Sequence, residues 1–174
     1  LLSRGLGDVY KRQLLWISQQ HLSEMSVRDL MNEIYSLNPE WGDGLEWDYL
    51  KEVVKLIKDR SKTITEITSM SEIFFKDKLE YDIDLLNKTF NDKSIAIIKD
   101  FQSALSSIED WSRVEIEKIF EDIMEQHEVA IGQVMKPVRV AISGIPFGPG
   151  IFDLILLLGK EICQIRLRHA LSVI

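Results

Sequence analysis

Apolar residues recur every three or four positions along most of the chain, a period that fits an α-helix and no strand. One stripe is formed by Ile95, Ile98, Phe101, Leu105 and Ile108, and a second by Ile116, Ile119, Phe120, Ile123 and Met124. In EWDYLKEVVKLIKDR the same spacing joins Trp47, Leu50, Val54 and Ile57, and it sets Lys51, Lys55 and Lys58 on another face. No segment keeps the alternation that a half-buried strand needs. The chain is therefore expected to be all-α.

Cap and breaker residues divide this pattern. Ser26 follows LLWISQQHL and is placed to cap VRDLMNEIYSL, and Pro39 with the WGDG turn ends that helix. Thr63 with Glu66, and Ser112 with Glu115, read as capping boxes. A short helix should end near Phe74 and Phe75, before the polar break KDKLEYD. Two packed helical bundles are expected, 14–78 and 79–174, with the boundary falling between Phe75 and Asp82. Residues 1–13, LLSRGLGDVYKRQ, carry no helical or strand period and resemble translated adapter sequence, so they are set aside as a non-native tail.

Several function classes are disfavoured. The most apolar run, Ile151 to Leu158, is too short to cross a bilayer and is closed by Gly159. A lone cysteine, Cys163, offers neither an internal disulfide nor a cysteine zinc site, and a reducing, cytoplasmic location is expected. His21, His127 and His169 are scattered, so neither a metal site nor a catalytic residue is assigned. The glycines fit no phosphate-cradling loop. The net charge of −7 argues against unselective nucleic-acid binding, and no DNA or membrane partner is expected. From Gly132 onward, however, Lys136, Arg139, Lys160, Arg166 and Arg168 face only Asp153 and Glu161, a net of +3 that leaves −10 on the remainder. A localised, specific contact with a polyanion is compatible with that split.

The same region holds three of the four prolines and five of the nine glycines, in GQVMKPVRVAISGIPFGPGIFDLILLLGKE. This string is similar to the C-terminal anticodon-binding region of bacterial glutamyl-tRNA synthetases, which usually reads G-x-(V/L)-(M/A)-x-P-(L/V)-R-x-A-(L/I)-(T/S)-G, an insert, P-G-(L/I)-F-(D/E) and LLGKE. LLWISQQHL, DRSKTITEI with the downstream FF, and RLRHAL resemble further segments of that family in its order, so the likeness runs from Leu14 to Ile174.

The resemblance implies an anticodon-binding fragment of a glutamate–tRNA ligase, with tRNA as partner. Arg60 matches the arginine that contacts the third anticodon base, a cytosine. A planar guanidinium can donate to the O2 and N3 acceptors of that base, and Arg60 implies an enzyme restricted to the glutamate tRNA. On the residues alone, Arg60 also suits a cation at a helix C-terminus. Arg139, Pro146, Gly148, Pro149, Ile151 and Phe152 match the segment that meets the first two anticodon bases, although the IPFG insert departs from the commoner loop. Phe152 is equally compatible with a core position. Lys136, Arg166 and Arg168 are candidates for phosphate contacts or for a solvated basic face. The HIGH and KMSKS-type signatures are absent. The catalytic half, with ATP and magnesium, is therefore expected outside this sequence, which alone should be inactive and monomeric. The alternative from a different class is a freestanding helical module that binds a partner helix.

Overall fold

The computed structural model describes residues 16–174; the tail assigned to 1–13 and the first residues of the LLWISQQHL segment lie outside the described residues. Among the described residues every regular element is helical, as the apolar period requires. The chain divides between Phe75 and Lys76 into two compact units.

The first unit contains α1 (residues 16–24), α2 (Val27–Leu37), α3 (Trp47–Lys58), α4 (Ile64–Ser71) and a 3-10 turn, Glu72–Phe74. Ser26 caps α2 by accepting from the Asp29 N–H at 3.1 Å. Leu30, Met31 and Ile34 of α2 and Leu50, Val53, Val54 and Ile57 of α3 are buried. Trp41, from the turn between them, donates Nε1–H to Ser71 Oγ at 2.8 Å. Gly42 in that turn sits at φ 70, and a Cβ there would lie 2.6 Å from a Leu50 methyl, so only glycine fits. At α4 the reading of a capping box is modified: Thr63 Oγ1 accepts from the Glu66 N–H, but the Glu66 carboxylate reaches back to the Lys62 N–H at 2.6 Å.

The second unit is built from α5 (Ile83–Thr89), α6 (Asp92–Ser107), α7 (Arg113–Gln126), α8 (Ile131–Ser143) and α9 (Ile151–Val173). Helices α6 to α9 pack mutually, and α5 lies on α8. Phe101 of α6 and Phe120 of α7 meet at 4.9 Å, and Ile98, Leu105, Ile116, Val138, Leu154 and Leu167 are buried in the same unit. Helix α5, which directly follows the break, is too short to show a period; Asp82 Oδ1 caps it through the Asp84 and Leu85 amides. Helix α9 is broken at Gly159, whose φ 79, ψ 164 only glycine adopts readily. Two carbonyls before the break find side-chain partners: Leu156 O accepts from Trp111 Nε1–H at 3.3 Å, and Ile155 O faces Cys163 Sγ at 3.8 Å.

One sequence expectation is overturned here. Arg166, a candidate phosphate contact, is fully buried. Its guanidinium donates to Ile142 O at 2.7 Å, Lys76 O at 2.5 Å and Asp77 O at 3.4 Å. Burial would be costly for this charge without such acceptors, and binding them ties the segment from Lys76 to the end of α8. Tyr81 adds to the same junction, with its hydroxyl 2.5 Å from Ala141 O and 3.3 Å from Arg166 O. These bonds join Lys76 and Asp77 to the second unit.

Replacing the buried arginine, Arg166→Met, strands these carbonyls and should cost about 3 kcal/mol in urea unfolding. Alkali should act on the same region. Burial pushes the Cys163 thiol from 9.0 up to about 12 and the Tyr81 phenol from 10.0 up to about 12, with Arg166 pulling both the other way. The folded chain retains protons that the unfolded chain releases, so stability is intact below 9.0 and falls toward about 12. Thermal melts between about pH 8 and about pH 10.5 should show this decline, with a shallower slope in Cys163→Ala.

Candidate nucleic-acid interface

The Pro/Gly-rich string does not simply break a helix. Helix α8 runs through Pro137, which has no N–H to donate to the turn before it. The helix stops at Gly144, in the left-handed region at φ 73, with its N–H on Val140 O at 2.9 Å. Ser143 reinforces the stop: its Oγ lies 2.8 Å from Arg139 O and 3.0 Å from Ile145 O.

Between α8 and α9 lies a six-residue loop, Ile145 to Gly150, held from below by Arg139. Arg139 Nη1 donates to Pro149 O at 2.8 Å, which fixes the loop end to the helix that precedes it. Gly148 has φ 134, and a Cβ there would meet only ordinary contacts, so backbone conformation and not space demands glycine. Gly150 shows the opposite case: a Cβ would come within 2.6 Å of Asp153 Oδ2. Asp153 sits in the first turn of α9 and accepts from Arg113 Nη1 at 2.6 Å, while Arg113 Nε donates to Glu117 Oε1 at 2.8 Å. The hydrogen bond to Glu117, followed by the charge of Asp153, raises the Arg113 pKa.

These contacts sort the expected site residues by exposure. Pro149 and Ile151 are buried and shape the loop from within. Phe152 is half-buried, edge-on to Phe120 at 5.2 Å and covered by the Arg113 guanidinium at 5.5 Å, so the structure favours its core reading. Pro146 is exposed, Gly148 and Arg139 are partly exposed, and Lys136 and Arg168 point to solvent. Arg60 is exposed in the turn after α3, its N–H on Ile57 O at 3.1 Å, within the first unit. Phe147 belongs to the divergent IPFG insert, where the resemblance implied a contact less firmly than at Arg139. At 68% exposed it is the aromatic at the loop tip.

A Pro/Gly loop presenting an exposed aromatic and backbone groups, pinned by an arginine and standing before a helix N-terminus, has the properties of a surface for unstacked bases. The family model described as "Anticodon binding domain" matches residues 22–171, and the chain belongs to that family. It is 28% identical over 159 residues to a glutamate–tRNA ligase of Flavobacterium johnsoniae, covering 91% of this chain and 32% of that protein. To glutamate–tRNA ligase 2 of Thermoanaerobacter pseudethanolicus it is 31% identical over 174 residues, covering 98% and 36%. The chain thus spans about a third of the length of the curated relatives it matches. The crystal structure of a glutamate–tRNA ligase from Elizabethkingia meningosepticum shares the fold with a TM-score of 0.79 at 23% identity, over 91% of this chain and 31% of that one.

Removing the clamp by Arg139→Gln should loosen the loop while the bundle holds. Hydrogen exchange at the Ile145, Phe147, Gly148 and Gly150 amides should accelerate, with a global stability loss of only about 1 kcal/mol.

Proposed function

We infer that this chain recognises the anticodon of the glutamate tRNA as part of a cytoplasmic glutamate–tRNA ligase. The observation that carries the reading is the α8–α9 loop, where Phe147 is exposed at the tip and Arg139 holds Pro149 beneath it. Splayed bases need an aromatic or apolar surface and fixed backbone donors and acceptors, and this loop offers both with little ordering cost. Membership of the anticodon-binding family and the shared fold support the same assignment. In this reading the rest of the ligase activates glutamate with ATP and magnesium, and the present chain positions the tRNA. A freestanding interaction module gains no comparable support.

Arg60 is the proposed selectivity residue. It is exposed on a short turn, and a guanidinium there can donate to the cytosine edge while a base carrying a donor is rejected. The turn follows the C-terminal end of α3, so the cation also lies in a favourable place in the helix field.

Titration of the chain with glutamate tRNA at low salt should give binding that weakens when the anticodon is substituted; equal binding would sink the proposal. Phe147→Ala should lose about 1–3 kcal/mol of tRNA affinity. Arg60→Gln should raise binding of the glutamine tRNA relative to the glutamate tRNA, and an unchanged ratio would remove the selectivity role.

A further inference from the structure

We propose that the first unit carries a second RNA contact: a pocket between α2 and α3 in which an unpaired tRNA nucleotide stacks on Trp47 while Arg28 and Lys51 hold its phosphate. This rests on the tRNA-binding reading but not on the loop that reads the anticodon.

The pocket has a volume of about 490 Å³ and is lined by Arg28, Met31, Asn32, Trp47 and Lys51. The residues come from one face of each helix, spaced by three and four along α2 and by four along α3. Met31 belongs to the core and supplies an apolar floor. Trp47 is the wall. The helical stripe of α3 groups it with Leu50, Val54 and Ile57, yet those three are buried and Trp47 is 45% exposed. It stands at the first residue of α3 and lies nearly parallel to Tyr35, with centroids 5.6 Å apart and planes 16° apart. Tyr35 in turn meets Trp41 edge-on at 5.5 Å, and Trp41 meets Phe75 at 5.6 Å. The indole is therefore the outer member of an aromatic ladder rooted in the unit, a rigid surface whose ordering cost is met in folding.

Charge narrows the ligand. Among the described residues that line the pocket there is no carboxylate, although the chain as a whole is acidic. Asp29, adjacent to Arg28, accepts from the Ser26 hydroxyl at 2.6 Å and is occupied with the α2 cap. No ion pair among the described residues engages Arg28 or Lys51. An aromatic face, two unneutralised cations and the Asn32 amide suit a ligand with a flat ring and an anion a few bonds away, which is a nucleotide. Stacking takes any base, the cations take the phosphate, and Asn32 can bond to a base edge.

The test is equilibrium binding of the full chain to glutamate tRNA and to its anticodon-substituted form across a salt series. Trp47→Leu should weaken both complexes by about tenfold, and Trp47→Phe, which keeps an aromatic face, should restore most of that. Arg28→Gln with Lys51→Gln, both on exposed side chains, should flatten the log–log salt slope by roughly 0.7, as expected for the one phosphate they hold. This double variant decides the matter should Trp47→Leu fail to fold. Unchanged affinity in a folded Trp47→Leu, or an unchanged slope in the double variant, overturns the pocket. Wild-type binding that ignores the anticodon overturns base reading at the loop and leaves the Trp47 comparison standing. Failure of the wild type to bind either tRNA overturns both.

Discussion

The second unit depends on a buried cation. Arg166 lies in the interior, and its guanidinium reaches the carbonyls of Ile142, Lys76 and Asp77. Ile142 is in the last turn of α8, where unsatisfied carbonyls and the negative end of the helix field would otherwise face an apolar interior. One planar group thereby closes the end of α8 and fastens the incoming segment to it. The loop that follows α8 departs from a helix end whose position is set by this contact, so an interior charge governs where an exposed aromatic stands.

The loop shows how glycine and proline can rigidify. Gly144 ends α8 through a left-handed residue, and Gly148 turns the chain where a side chain would strain it. At Gly150 the neighbouring Asp153 carboxylate leaves no room for a Cβ. The same Asp153 takes Arg113, whose guanidinium lies over Phe152. Arg139, expected to meet a base, reaches back to Pro149 O in this structure. Holding the loop and facing a ligand are compatible for a guanidinium, which has five N–H donors.

Much of the fold was legible because helical period and caps are local signals. Ser26, Thr63 and Ser112 cap the helices expected of them, and the stripes through Phe101 and Phe120 are buried except at half-buried Ile95 and Met124. Less was visible where the signal was short or tertiary. Helix α5 has only two turns, and the capping box at α6 uses Asn91 and Ser94 in place of the usual Ser or Thr with Glu or Gln. The site was legible as a stretch but not by exposure. Arg166 and Arg168 are two residues apart in one helix, yet one is buried and the other solvated. Phe147 and Phe152 likewise differ, one exposed and the other half-buried, because burial depends on what crosses above each ring.

Electrostatics then relates the acidic composition to the proposed RNA-facing role. A chain at −7 repels a polyanion over most of its surface, so association needs local patches strong enough to offset the average field. Such a surface gains little from indiscriminate phosphate contacts, and more of its affinity must come from stacking and from hydrogen bonds that depend on base identity. The placement of the exposed aromatics is compatible with the proposed contacts: Phe147 stands on the loop within the stretch of net positive charge, and Trp47 stands beside Arg28 and Lys51 in a lining without carboxylates. Under the proposed function, repulsion elsewhere would favour selectivity, because an RNA that cannot place unstacked bases on those rings would have little else to hold.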